Sequence, residues 1–366
     1  MKLFCHGLDL SEAIIKVIKA TSSKTTNPIL EGIKITAKDN TLILTATDGE
    51  LAIEKAIIAD VKIEGETVVP GKFFNEYIRK LVDQEIEIDL IGNNQLKIKY
   101  TDSEVFVSCL DPQEFPKIKE VNDKKYFELS KKQFKDIVNK TIISVSSEDT
   151  RPILKGAMFE IENNDLKVVS LDGYRLSLVN SKINESKIEE KIIIPGRSLS
   201  EMSKLLEEDD ENIKIFIQDN YVMIETDSTK VITRLFDGNF PDYKIFIEEK
   251  FESVITINKE QLEETLERAS ILARVSNDNS VIMTIKENNL KVRADSEIGK
   301  VEENIAVVLE GKDIEIRFDA RFIKDCLRVS SDEFIKLCLN SSSKPAIIKP
   351  NDKTNYLFLV IPLRTV

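Results

Sequence analysis

The stretch Arg151-Pro-Ile-Leu-Lys-Gly-Ala-Met-Phe-Glu-Ile161, resumed after the turn Asn163-Asn164-Asp165 as Leu166-Lys-Val-Val-Ser-Leu-Asp-Gly-Tyr-Arg-Leu176, decides the fold. It reads as two strands joined by residues that favour tight turns, with a third strand starting past Asp172-Gly173. Its weight comes from repetition. Asn27-Pro28-Ile29-Leu30-Glu31-Gly32 precedes Leu42-Ile-Leu-Thr-Ala-Thr-Asp48-Gly49, and a worn copy, Asn279-Ser280-Val281-Ile282, precedes Leu290-Lys-Val-Arg-Ala-Asp295-Ser296. Pro28 and Pro152 lie 124 positions apart, as do Asp48 and Asp172, while Asp172 and Asp295 lie 123 apart. A solenoid unit would repeat every ~20–50 residues, whereas a whole domain runs to roughly 100–150. The chain therefore reads as three copies of one domain, over residues 1–122, 123–248 and 249–366.

Working outward, each copy opens with a strand and a capping-box-like helix start: Asp9-x-x-Glu12, Ser130-x-x-Gln133 and Asn258-x-x-Gln261. Apolar residues then recur at helical spacing, as in Phe134, Ile137, Val138, Thr141 and Val145. Val68-Val-Pro-Gly71 and Ile193-Ile-Pro-Gly196 introduce a second helix, Ile316-Arg-Phe-Asp319 does so in the third copy, and more strands follow. Phe115-Pro116 and Asn239-Phe240-Pro241 close the first two copies. Two helices and about eight strands per copy predict an α+β class, with two amphipathic helices packed on antiparallel sheet.

Composition narrows the function. The 366 residues hold one histidine, His6, and four widely spaced cysteines without a Cys-x-x-Cys, so neither a multi-histidine metal site nor a Ser/His/Asp or Cys/His pairing is expected. The thiols read as reduced and buried, in a cytoplasmic protein without cofactor. No apolar run reaches the ~20 residues of a membrane span, and no signal-peptide pattern opens the chain. No phosphate-binding Gly-x-x-x-x-Gly-Lys occurs, and the repeated Asp-Gly pairs read as turns rather than catalytic acids. A net charge of −12 argues against a simple nucleic-acid binder unless the cations gather on one surface. An enzyme is therefore disfavoured, and a three-domain interaction scaffold unrelated to DNA stands as the alternative reading.

Three tandem Pro-Ile-Leu-x-Gly, Asp-Gly and Pro-Gly blocks, Phe-Pro closures and a terminal Val360-Ile-Pro-Leu-Arg364 together resemble the bacterial DNA sliding clamps, the beta subunits of DNA polymerase III, over essentially the whole chain. The resemblance implies a non-enzymatic processivity factor: a head-to-tail homodimer ring around double-stranded DNA. It also implies the replicative DNA polymerase, the clamp loader and other clamp-binding-motif proteins as partners. Carried onto this sequence, it implies DNA-facing cations among Lys24, Lys72, Arg79, Lys80, Lys131, Lys135, Lys140 and Arg197. A partner-peptide cleft would be formed by Leu154, Leu171, Gly173, Tyr174, Arg175, Leu176, Pro241, Ile245, Phe246, Phe322, Pro345, Val360, Ile361, Pro362 and Leu363. The dimer seam would involve Phe106 and Ser108 on one side and Ile271 and Leu272 on the other, with Lys72 reaching Glu297 or Glu302. Leu171, Tyr174, Ile245 and Phe246 depart from residues common in the family, which keeps the cleft apolar but alters its expected peptide preference.

Overall fold

A computed structural model describes residues 1–22, 25–92, 94–121, 125–148, 150–207, 209–226, 228–275, 279–352 and 355–364. Among them, one order of elements occurs three times. The first copy runs β1 (Lys2–His6), α1 (Gly7–Val17), β2 (Gly32–Lys38), β3 (Thr41–Thr47), β4 (Leu51–Ile58), β5 (Asp60–Ile63), β6 (Gly65–Pro70), α2 (Gly71–Ile78), β7 (Glu85–Ile91), β8 (Gln95–Tyr100) and β9 (Ser103–Ser108). The second runs β10 (Tyr126–Ser130), α3 (Lys131–Ile142), β11 (Gly156–Glu162), β12 (Asp165–Leu171), β13 (Arg175–Lys182), β14 (Glu185–Ser186), β15 (Glu190–Pro195), α4 (Gly196–Leu205), β16 (Asn212–Gln218), β17 (Tyr221–Thr226) and β18 (Thr229–Arg234). The third runs β19 (Ser253–Asn258), α5 (Lys259–Ala273), β20 (Ser280–Lys286), β21 (Asn289–Ser296), β22 (Gly299–Ala306), β23 (Val308–Gly311), β24 (Ile314–Asp319), α6 (Ala320–Val329), β25 (Phe334–Leu339), β26 (Ala346–Pro350) and β27 (Tyr356–Val360). Each copy thus holds two helices and nine strands, one more strand than the expected eight.

The turns set the repeat distance. Asp39-Asn40, Asn163-Asn164 and Glu287-Asn288 all take positive φ, the last with values of 51° and 61°, as a two-residue hairpin turn requires. These pairs lie 124 residues apart throughout. The third partner of Asp48 and Asp172 is therefore Ser296, not Asp295. Local bonding agrees: the Asp48 and Asp172 carboxylates each accept the N–H groups two and three residues on, and the Ser296 hydroxyl accepts the N–H of Ile298.

Helix starts recur in each copy, His6 and Ser130 lying 124 positions apart and Ser130 and Asn258 lying 128 apart. Asn258 caps α5 by accepting the N–H of Gln261, and α3 begins directly after Ser130. In the first copy the cap is His6, whose ring nitrogen accepts the N–H of Leu8; Asp9 lies in the first turn of α1 and is not its cap. The single histidine is thereby given a structural task.

The chain forms two compact units that do not follow the repeat: residues 1–131 with 200–235, and 132–199 with 236–366. The middle copy is shared because its two sheets join different neighbours. In the first unit, sheet order runs β10-β16-β17-β18-β4-β3-β2-β6, beside β5-β1-β7-β8-β9. In the second, it runs β15-β11-β12-β13-β27-β26-β25-β19-β23, beside β22-β21-β20-β24. The strands alternate, and the fully buried face carries residues such as Leu42, Leu44 and Ala46, matched by Leu166, Val168 and Ser170 and by Leu290, Val292 and Ala294.

Candidate functional site

The expected peptide cleft lies wholly in the second unit, where β13 pairs with β27, placing Leu176 opposite Leu359 and Leu178 opposite Leu357. Strand alternation sends these four side chains to one face. There Leu154, Met158, Val169, Leu171, Leu176, Leu178, Ile193, Tyr243 and Leu359 form a buried cluster, flanked by Ile153, Phe236, Phe240, Ile247 and Leu357. The tight turn Tyr243–Phe246, capped by Asp242, buries Tyr243 but leaves Ile245 and Phe246 exposed, Ile245 by 72%. Pro241 and Pro345 are half-buried.

A shelf stands at the cluster's edge. Gly173 adopts φ 94°, a conformation that favours glycine, and turns the chain so that Tyr174 stands 55% exposed and stacks on Phe322 at 5.9 Å between ring centroids. Arg175 lies over the other reach of Phe322, 4.7 Å from its centroid, and bonds Asp172 at 3.0 Å and Asp325 at 2.6 Å. Burial opposes the Arg175 charge, but bonding to Asp325 and Asp172 more than offsets it, so its pKa lies above the ordinary value. The terminal segment is fastened by backbone: the Ile361 N–H donates to the Tyr174 carbonyl at 2.9 Å and the Leu363 N–H to the Arg317 carbonyl at 2.8 Å. Ile361 is left 42% exposed beside the shelf, while Pro362 is buried and Leu363 half-buried.

Val360 departs from the expectation. It is fully buried on the face of β27 opposite Leu359, and Leu359 rather than Val360 belongs to the buried cluster. Met158, Val169, Leu178, Ile193, Tyr243 and Leu357 were also missed. Period-two alternation counted from Leu176 would have found Leu178.

The expected DNA-facing cations divide by exposure. Lys72, Arg79, Lys80 and Arg197 are exposed, and Lys135 is half-buried. Lys131 and Lys140 are corrections: only 4% and 2% exposed, they serve the interior. The Lys131 ammonium bonds Asp209 and Glu211, each at 2.8 Å, and these bonds raise its pKa. Lys140 is paired with Asp136 and lies over the Tyr356 ring. Lys24 lies outside the described residues. In the third copy, Glu263 and Glu267 of α5 share a groove of about 220 Å³ with Arg274, Arg321, Lys324 and Arg328, so acids on this helix face are balanced by cations.

At the expected seam, β9 and β22 each end a sheet. Phe106 and Ser108 are exposed, but they lie on the face of β9 away from the core; Val105 and Val107 face the core side, with Val107 buried. Ile271 is 70% exposed on α5 and Leu272 half-buried. Glu302, one expected partner of Lys72, bonds Lys300 at 2.8 Å within its own chain and stands opposite Arg293 on the next strand. Glu297 remains exposed. Among the described residues, no cluster of His, Cys, Asp or Glu is arranged to hold a metal, and no helix is long and apolar enough to cross a membrane.

Comparisons with known proteins agree along the chain. The sequence patterns of the DNA polymerase III beta subunit N-terminal, central and C-terminal domains match residues 1–119, 128–242 and 244–364. The chain is 33% identical over 358 residues to the beta sliding clamp of Staphylococcus epidermidis and 31% identical to that of Staphylococcus aureus, covering 95% of both partners in each comparison. Its structure superimposes on the DNA polymerase sliding clamp of Bacillus subtilis with a TM-score of 0.97 at 30% identity, and on the beta subunit of Streptococcus pyogenes DNA polymerase with 0.94 at 26%, covering all of each chain. Three tandem clamp domains, matched in order over nearly every residue, place this chain in the DNA polymerase III beta subunit family, the bacterial sliding clamps.

Proposed function

We propose that two copies of this chain close head to tail into a ring around duplex DNA, and that the apolar face of the β13–β27 joint receives short peptides from the replicative polymerase, the clamp loader and other clamp-binding proteins. The chain is a sliding clamp, a processivity factor rather than an enzyme. The three repeats, 1–122, 123–248 and 249–366, are its modules, and the cytoplasm, where replication proceeds, is its place of work.

The observation that carries the ring is the state of the sheet edges. β4 pairs with β18 and β13 with β27, each time joining the outer strand of one copy's second sheet to the outer strand of the next copy's first sheet. That leaves β22 and β9, the same two kinds of edge, at the ends of the series. An edge strand offers a row of backbone groups for pairing, and a heterologous contact that closes makes a ring. Closure explains how a chain of net charge −12 works on DNA: topology holds the duplex, so few phosphate contacts are required. Exposed Lys72, Arg79 and Lys80, together with Lys135 and Arg197, are the cations that would steer it. Phe106 on the outer side of β9, Val105 and Val107 on its core side, and Ile271 and Leu272 supply the apolar part of the seam.

Two measurements test this. Loaded onto a nicked circular plasmid, the protein should co-elute with it in gel filtration and be released when the circle is linearised; equal retention on both would sink the ring. A labelled peptide of Gln-Leu-x-Leu-Phe type should bind saturably in fluorescence anisotropy. It should fail to bind a chain cut after Ile361, which loses Pro362 and Leu363 beside the shelf. Undiminished binding to the truncated chain would place the peptide elsewhere.

A further inference from the structure

The two joints within the chain share one register. At the first, Val231 faces Ile53 and Thr233 faces Leu51, and the Arg234 N–H donates to the Glu50 carbonyl at 2.9 Å. At the second, Ser177 faces Phe358 and Arg175 faces Val360, and the Ile361 N–H donates to the Tyr174 carbonyl at 2.9 Å. The hairpin turns align Arg175 with Leu51 and Gly299, and Thr233 with Val107. One further use of the same joint sets Val107 opposite the partner's Gly299, Val105 opposite the partner's Val301, Phe106 opposite the partner's Lys300, and Glu104 opposite the partner's Glu302.

We propose that the ring seam closes in this register and that Lys300 is its electrostatic clasp, the one cation placed between two opposed carboxylates, Glu104 of one chain and Glu302 of the partner. The inference rests on the dimeric reading above. Glu104 and Glu302 are both exposed and face away from the core, on the same side as Phe106 and Lys300. Like charges directly opposite on neighbouring strands repel. Lys300 already bonds Glu302 at 2.8 Å, which holds the Glu302 pKa below its ordinary value. In the shared register, Lys300 lies diagonal to Glu104, within reach of a long side chain. The other cations near the pair, Lys97 and Lys99 on β8 and Lys291 and Arg293 on β21, stand one strand further from the seam on either side. The Phe106 ring, 47% exposed in the single chain, would lie against the stem of Lys300.

Sedimentation equilibrium on the full-length chain tests the clasp. Lys300→Ala leaves the two carboxylates opposed in both seams of the ring and should raise the dimer dissociation constant about two- to thirty-fold. Adding Glu104→Gln and Glu302→Gln to that variant removes the repulsion and should return it to within about twofold of the wild type. No loss with K300A, or an equal loss in the E104Q/E302Q background, would overturn the clasp while leaving the dimer intact. A wild type that stays monomeric at all concentrations would overturn the dimer and the clasp together. The register has its own check: V105C/V301C should form an interchain disulfide on mild oxidation, seen by non-reducing electrophoresis, because both side chains face the core side at a closely spaced pair. Cross-linking in the shifted pair V105C/E303C instead would overturn the register.

Discussion

The two joints have the same hydrogen-bond register and opposite outer faces. Where β18 meets β4, Glu54 stands opposite Lys230 and Ala52 opposite Ile232. Where β27 meets β13, the matching pairs are Leu178 with Leu357 and Leu176 with Leu359. The neighbours follow suit: Lys34 and Thr45 at the first joint correspond to Met158 and Val169 at the second. The first joint keeps a small apolar cluster, Ala52, Met223 and Ile232, with Ile118, Val121, Phe216 and Tyr221 packed on it. The second presents a broad apolar floor of nine buried residues with exposed Tyr174, Ile245, Phe246 and Ile361 around it. Backbone geometry therefore makes the joint, and side-chain chemistry alone makes one of the two joints a candidate docking face. Exposed apolar groups gathered in this way mark an interaction surface.

The strongest way to break the comparison is to convert one joint into the other. Leu178→Glu with Leu357→Lys reproduces the Glu54–Lys230 pair at the second joint. It should weaken peptide binding at least about tenfold and cost about 2–4 kcal/mol of stability, since a buried leucine is replaced by a charge within an apolar cluster. Anisotropy and denaturant melts read the two effects; peptide affinity within twofold of wild type would show that this floor is not the docking face. Next in size is Arg175→Ala. At the first joint the same position is Leu51, which requires no counter-charge. At the second, removing the guanidinium leaves Asp172 and Asp325 facing each other, mostly buried, and strips one face of Phe322, for a loss of about 2–3 kcal/mol. A melt unchanged from wild type would mean that solvent, not Arg175, compensates those acids.

A smaller effect is present at neutral pH and disappears in acid. Glu160, on β11 beneath the cleft, bonds Lys191 at 2.7 Å and accepts from the Tyr243 hydroxyl; its counterpart in the first copy is Thr36, which does not titrate. Bonding to Lys191, helped by Lys167 and Lys244, holds the Glu160 pKa below its ordinary 4.5, while burial pushes the Tyr243 hydroxyl up to about 12. Because the folded pKa is the lower one, Glu160's contribution is complete above 4.5 and is lost as pH falls through the folded value. Glu160→Gln should therefore lower the melting temperature near pH 7 and narrow its gap to wild type near about pH 3. A gap that stays constant with pH would assign the loss to packing rather than charge.

What could be read from sequence was the repeat, and through it the fold. Three hairpins with Asn or Asp at positive-φ positions, helix starts before each apolar stripe and the Asp172-Gly173 turn are local signals that need no tertiary partner. Most of the differences in the strands have one cause. A strand shows its two faces at a period of two, so a one-residue error exchanges them. Taking Asp295 for Ser296 is a slip of one position, and the same one-residue step separates Val360 from Leu359 of the buried cluster, and Phe106 and Ser108 from the core-facing Val105 and Val107. Lys131 and Lys140 failed differently. A lysine on a short helix looks solvated in sequence, and the acids that draw Lys131 inward, Asp209 and Glu211, are about eighty positions away. The cleft's extent was hidden for the same reason, since Tyr243 and Ile193 reach Leu176 only through the folded sheet.

The smallest expected change is the most selective. Glu54→Leu with Lys230→Leu gives the first joint the leucine pair of the second. Both residues are half-buried, and the change exchanges the loose 3.6 Å pair of Lys230 with Glu225 for apolar contact, so stability should move by no more than about 0.5 kcal/mol. The question is whether an apolar floor is enough to dock a peptide. At the second joint the floor is bordered by Tyr174, held upright by the Gly173 turn and stacked on Phe322. The counterpart of Tyr174 at the first joint is Glu50, exposed and charged beside the Gly49 turn. Peptide recognition requires anchors with fixed geometry as well as apolar area. The E54L/K230L chain should therefore bind one peptide per chain, as wild type does, in a titration at stoichiometric concentrations. A second saturable site would show that the leucine pair alone defines the cleft, and would move the weight of recognition from the Tyr174–Phe322 shelf to the floor beneath it.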